Sequence, residues 1–328
     1  MKTLRIIAVN FLLTILFFAL IEVGCRLAYP DVGLPGTDSR LIRDSVYYDT
    51  PGLSPGVTGI SNGAEKEVNE HGFLAYDGNK LATEDATSWL FLGDSVTFGI
   101  GVVNDSTFAG RFSLAYPNIR VDNPSVIGHS VYDYSNILRK LTSLNQLREY
   151  NRVFIFWTLN DLYGNFPIEE NPTAIHKTFL TSLISFFRDN TIIYHILKKQ
   201  FADRPEAYFK YDQQFYESGN EFFVKGVKQL TEIRNLTEQA SVPLTIVLLP
   251  YEYQLRLQNN ESRFRPQQLM KSNLTKKITF DVAQFLKKPD LAEASDLYLF
   301  GDGIHFSSLG HKRIHEYLSR TIITNRYR

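Results

Sequence analysis

Short apolar runs interrupt an otherwise mixed chain: Trp89–Leu92, Val153–Trp157 and Leu244–Leu249. Runs this brief, with no polar face, fit strands buried on both sides of a parallel sheet. Ile119–Val121 is a weaker fourth candidate. Between the runs, apolar residues recur at helical spacing. Ile137, Leu138, Leu141, Leu144 and Leu147 predict a helix over 134–147. Val224, Val227, Leu230, Ile233 and Leu236 predict one over 222–240, and Ile314, Leu318 and Ile322 one over 309–323. Ser307 or Ser308 is a natural N-cap for the last. Strand followed by helix, repeated, is the pattern of a doubly wound α/β fold.

The first residues follow a different rule. Ile6–Ile21 is apolar except for Asn10 and Thr14, and Val23 and Gly24 extend the run past Glu22. Residues 6–24 thus approach the roughly 20 that cross a bilayer. Lys2 and Arg5 precede the run, whereas Glu22, Arg26 and Asp31 behind it nearly cancel. The positive-inside rule then leaves the N-terminus in the cytosol and carries the rest outward, as a single-pass extracytoplasmic protein. A cleaved signal peptide would need small residues at a cleavage site, and no A-x-A pattern is present. Gly24-Cys25 hints at a lipidated cysteine, but Glu22 stands where that motif has Leu. Residues 29–66 are rich in Pro and Gly and read as a stalk or surface wrap. The expected organisation is an anchor over 1–28, a wrap over 29–87 and a catalytic domain over 88–328. An insertion at about 162–221 holds a helix candidate, 179–197, and an aromatic tract from Tyr208 to Tyr216. Long connections of this kind serve as lids or thicken the core.

Charge and cysteine content narrow the function classes. Thirty-five basic residues balance 35 acidic ones, so bulk charge gives no argument for nucleic acid. The lone Cys25 excludes an intramolecular disulfide and a cysteine-rich metal site. His311 and His315 have the spacing of a metal pair on a helix, but no third ligand is evident. No cofactor and no metal are expected.

Four short motifs could carry chemistry. Gly93-Asp-Ser-Val-Thr-Phe-Gly99 follows an apolar strand, placing Ser95 at the strand's carboxyl end, where open parallel sheets bind ligands. Asp302-Gly-Ile-His305 could supply a base and the carboxylate that orients it. Asn160-Asp161 follows the strand that ends at Trp157, so the Asn160 amide could donate to an oxyanion. Asn123–Gly128 follows the weak strand, and Gly128 could offer its backbone N–H to the same point. Each alone is equally a turn or a cap.

Taken in order, Gly-Asp-Ser, N-x-x-x-x-G, Asn-Asp and a late D-x-x-H resemble the SGNH hydrolase superfamily, the GDSL-like lipases and esterases. The resemblance covers about 88–320. It implies a three-layer α/β/α sandwich on a parallel, flavodoxin-like sheet. It also implies Ser95 as nucleophile, His305 as base, Asp302 as its partner, and Ser95, Gly128 and Asn160 as the oxyanion hole. Two positions depart from the family pattern: Thr158 and Ser125 stand where glycine is usual. Thr158 is expected to narrow or reshape the pocket. Asn69-Glu-His-Gly-Phe73 and the apolar N-terminus resemble a membrane-anchored branch linked to envelope polysaccharide O-acylation or deacylation.

Three functions follow. The first is a serine esterase removing short acyl groups such as acetyl from an envelope glycan. The second is an O-acyltransferase onto an envelope polysaccharide, which the same triad would serve. The third is a non-catalytic glycan-binding or envelope-assembly protein that keeps the fold.

Overall fold

A computed structural model describes residues 2–30, 32–163, 179–256, 261–274, 279–286 and 293–323. Its centre is a five-stranded parallel sheet. In chain order the strands are β5 (Thr87–Gly93), β6 (Ile119–Asp122), β7 (Arg152–Trp157), β8 (Leu244–Leu248) and β9 (Thr279–Asp281). They follow antiparallel hairpins β1 (Ile42–Tyr47) with β2 (Thr50–Leu53) and β3 (Thr58–Ser61) with β4 (Ala64–Glu67). The order across the sheet is β6-β5-β7-β8-β9, the flavodoxin-like 2-1-3-4-5 arrangement. The expected runs became β5, β7 and β8, and the weak candidate became β6. β9 was not anticipated; it is three half-buried residues, too short to leave a pattern.

Alternation along the strands builds two cores. Trp89, Phe91, Phe154, Phe156 and Val247 face one side, against the helices Phe108–Ala115 and Ser308–Leu318. Leu90, Leu92, Val153, Ile155, Trp157 and Ile246 face the other, against Val131–Ser143 and Glu221–Gln239. Three layers result. The first side is aromatic: Phe91 lies 5.1 Å from Phe154 and 4.9 Å from Phe156, and Phe108 lies 4.5 Å from Phe156, between ring centroids. Fully burying one such side chain contributes about 1.5–3 kcal/mol.

Helix boundaries moved by a few residues. The helix expected over 134–147 begins at Val131, because Ser130 and Asp133 form a capping box. The last helix starts after the Ser307 cap, and its α-helical part ends at Leu318. Helix Phe179–Asn190 and helix Ile192–Phe201 replace the single helix expected over 179–197; the break falls at Thr191. Residues 164–178 of the expected insertion lie outside the described residues. His311 is a core residue: its Nδ1 accepts from the Phe108 N–H at 3.2 Å, and burial pushes the imidazole well below its usual value.

The segment before β5 packs onto the domain. Leu41, Leu53, Val68, Leu74 and Tyr76 share the aromatic core with Phe91. Strand alternation in β4 also drives Lys66 inward while Glu65 and Glu67 face out. Lys66 is 0 % exposed, and its Nζ donates to Phe98 O at 2.9 Å and Val102 O at 2.6 Å. No carboxylate is among these partners, so burial lowers the ammonium to about 7. An unfolded lysine titrates near about 10.4, so between those values the unfolded chain holds a proton that the folded chain has released. Stability therefore rises with pH across this window. Denaturant unfolding at about pH 7 and about pH 9 should show the wild type gaining more stability than Lys66→Met. Equal gains would mean that Lys66 does not titrate there.

Candidate active site

β5 ends at Gly93, and the chain turns through Asp94 into one helical turn, Ser95–Phe98. A Cβ on Gly93 would stand 1.9 Å from Thr97 Oγ1, so only glycine lets the turn fold back this tightly. Asp94 caps the turn, its Oδ1 accepting from Val96 N at 2.8 Å. Gly93 is level with Phe156, and Trp157 with Leu248, so β5, β7 and β8 release their chains at neighbouring points of one edge. The chain crosses from β6 back past β5 to β7 here, and the topological switch opens a crevice at the carboxyl ends. Ser95 lies at that edge, 6 % exposed.

The C-terminal loop reaches the same edge. Tyr298 and Phe306 form an isolated antiparallel bridge, and Glu252 N donates to Gly303 O at 2.9 Å, fastening the loop to the end of β8. Asp302 Oδ1 accepts from the backbone N–H groups of Ile304 and His305 at 2.9 and 2.8 Å. Both its oxygens also lie near His305 Nδ1, at 2.9 and 3.0 Å. That contact assigns the imidazole proton to Nδ1 and leaves the Nε2 lone pair for a donor. Ser95 Oγ lies 2.8 Å from Nε2.

The electrostatics follow from this placement. Burial opposes the ionised Asp302, but His305 and the two backbone donors outweigh it and hold the carboxyl at about 2. Burial also opposes imidazolium, yet the charge and hydrogen bond of Asp302, helped by Asp94, push His305 above its usual value. A carboxylate, an imidazole of raised basicity and a hydroxyl in a row can move a proton from the hydroxyl to the ring.

A second polar group closes the other flank. Thr158 caps the short helical segment Leu159–Leu162. Asn160 Nδ2 donates to Asp94 Oδ2 at 3.1 Å, and its Oδ1 lies 2.8 Å from Thr158 Oγ1 and 2.9 Å from the Tyr251 hydroxyl. These contacts fix the amide, whose second N–H has no hydrogen-bond partner among the described residues. Thr158 Oγ1 also lies 3.1 Å from Asp94 Oδ2 and 3.0 Å from Asp161 Oδ1. One hydroxyl proton cannot serve three acceptors. Burial, with the charge of Asp94, pushes the Asp161 carboxyl well above the usual range. Its Oδ2 also accepts from the Thr158 N–H at 2.9 Å. The Thr158 side chain is therefore used within this buried network; its backbone is extended (φ −107°), a conformation any residue adopts.

Ser95, His305 and Asp302 thus stand in one hydrogen-bonded row, and Asn160 joins them through Asp94. Gly128 is linked less directly. Asn123 Nδ2 donates to Thr97 O at 3.1 Å, which fastens the Asn123–Gly128 loop to the Ser95 turn. Gly128 has φ +83°, and its N–H makes no hydrogen bond among the described residues. No hydrogen bond joins Gly128 itself to the row.

Three contributors escaped the sequence. Tyr251, at the carboxyl end of β8, had a usable signal in its position. Asp212 had none; it lies in the helix Arg204–Gln213 and meets Tyr251 OH at 2.6 Å and the Tyr163 hydroxyl. Arg204, at the start of that helix, opposes the charge on His305.

No family model matches the chain, and no curated protein matches it. Solved structures similar to it include a member of the lipolytic protein G-D-S-L family from Veillonella parvula (13% identity, 73% of this chain and 99% of that chain, TM-score 0.41). Others are the esterase EstA from Pseudoalteromonas sp. (14%, 74% and 100%, TM-score 0.40) and the acetyl xylan esterase AlAXEase (12%, 72% and 99%, TM-score 0.41). Likeness this distant carries no argument about chemistry, which rests on the side chains alone.

The imidazole can be followed directly. In an NMR titration, His305 should protonate at a pH above the ordinary histidine value of about 6.5. In Asp302→Asn its midpoint should fall below that of the wild type, because burial is then opposed by less negative charge. An unchanged midpoint would remove the carboxylate from the account.

Proposed function

We propose that the chain is a serine-dependent ester hydrolase of the SGNH, or GDSL-like, type. The observation that carries this reading is the 2.8 Å approach of Ser95 Oγ to His305 Nε2, with Asp302 on the far nitrogen. His305 takes the Ser95 proton as Oγ attacks the ester carbonyl carbon. The C=O electron pair moves onto oxygen, where the N–H groups of Ser95 and Gly128 and the second Asn160 N–H receive it. Collapse restores the carbonyl and expels the alcohol, which takes its proton from His305. Water then attacks the acyl-serine by the same steps. Asp302 stays ionised throughout and holds the ring in its tautomer.

The finer reading is removal of a short acyl group, such as acetyl, from an envelope glycan. It is supported by the Asn69–Phe73 resemblance and by the N-terminal helix Lys2–Ala28, which is long and apolar enough to cross a membrane. In this reading the helix is a single-pass anchor, Lys2 and Arg5 stay cytosolic, and the domain stands outside the inner leaflet's compartment.

Full-length protein in detergent should hydrolyse p-nitrophenyl acetate and react with a fluorophosphonate probe at Ser95. Ser95→Ala should lose both, and equal turnover by wild type and Ser95→Ala would sink the proposal. Asn160→Ala should lower kcat about a hundredfold, the size expected for one oxyanion donor. Because neutral His305 is the base, kcat/KM should rise with pH through a midpoint above about 6.5.

A further inference from the structure

Helix Phe179–Asn190 exposes large apolar side chains. Leu183, Ile184, Phe186 and Phe187 lie on one broad arc and are 40–59 % exposed, while Ser185 on the other side is half-buried. The next helix, Ile192–Phe201, adds Leu197 at 52 % and Phe201 at 85 % exposure. So many large apolar side chains exposed together suit contact with an apolar medium.

What covers this face is indicated by its neighbour. The end of the N-terminal helix docks at the joint between the two helices. Glu22 Oε1 and Oε2 accept from the N–H groups of Ile192 and Ile193 at 3.0 and 3.1 Å, capping the second helix. Arg26 pairs with Glu22 at 2.8 Å and donates to Asn190 O, at the carbonyl end of the first. Glu22 and Arg26, near the end of the N-terminal helix, thus satisfy both backbone ends of the joint. Tyr29, just past the anchor, packs on Phe300 with centroids 5.5 Å apart, and Lys199 lies over the same ring. Arg188 pairs with Asp189 at 2.7 Å, while Lys198 and Lys199 add the positive charge that an anionic headgroup layer attracts.

We propose that the helix pair 179–201 lies in the headgroup region of the bilayer that Lys2–Ala28 spans, as a second membrane contact fixed to the first. The proposal rests on the anchor reading above. It sets the Asp302 loop, two residues past Phe300, against the membrane surface. A cavity of about 180 Å³ between Val32, Gly33, His195, Arg204 and Asp302 opens beside the anchor's exit. Substrate would then be taken at the lipid surface.

The test uses full-length protein in vesicles of phosphatidylethanolamine and phosphatidylglycerol, with Cys25→Ser as background. Single cysteines carry an environment-sensitive fluorophore at Leu16→Cys in the anchor, Phe187→Cys and Leu197→Cys in the pair, and Leu144→Cys at the opposite edge of the sheet. Circular dichroism matching the wild type shows each variant folded. Nitroxide-bearing phosphatidylcholine should quench the first three, with blue-shifted emission, and leave Leu144→Cys unquenched. Quenching at Leu16→Cys but at neither Phe187→Cys nor Leu197→Cys would overturn the proposal and leave the anchor standing. No quenching at Leu16→Cys would overturn the anchor reading, and this proposal with it.

Discussion

His305 is shared between the carboxylate of Asp302 and the hydroxyl of Ser95, and the arrangement at the sheet edge depends on that sharing. The ring has two nitrogens with opposite duties. Asp302 accepts a hydrogen bond from Nδ1–H, so Nε2 must be the acceptor, and the serine is its nearest donor. Neither partner can be moved alone. Asp302 is held by two backbone N–H groups of its own loop, and Ser95 by the Gly93–Asp94 turn at the end of a buried strand. The row is rigid because both ends are backbone features and not flexible side chains.

Around it, the structure tolerates an expensive concentration of buried polar groups. Asp94, Thr158, Asp161 and Asn160 meet within hydrogen-bond reach, and burial beside the charge of Asp94 pushes the Asp161 carboxyl well above its usual range. Asn160 gains a fixed amide from this, with Tyr251 and Asp212 holding it from the other side. A pre-set donor needs no reorganisation when negative charge appears beside it.

Peripheral segments are fastened to this core by single unusual contacts. Lys66, buried with no counter-charge among its hydrogen-bond partners, fixes the carbonyls of Phe98, which ends the Ser95 turn, and of Val102 beyond it. Glu22 and Arg26 fasten the N-terminal helix to the segment between β7 and β8. In each case a charged residue satisfies backbone groups that the local secondary structure leaves open. The hairpins before β5 complete the aromatic face of the sheet, with Leu41 and Leu53 packed among its rings.

The sequence by itself determined the central strands, because β5, β7 and β8 are buried on both faces and leave unbroken apolar runs. It determined Val131–Ser143, Glu221–Gln239 and Ser308–Leu318, whose buried faces repeat at helical spacing, but not Phe108–Ala115, which is also buried on one face, and it put Ser95, Asn160, Asp302 and His305 at strand ends and in the last loop. Contacts across the chain decided the rest. Three half-buried residues make β9, and β4 reads as polar although it sends a lysine inward. Asp212 and Tyr251 support Asn160 from 52 and 91 positions further along the chain. Periodicity reports a residue's own face. It carries no information about which distant group meets that face, and the upward shifts of Asp161 and His305 reflect the balance of burial and those meetings.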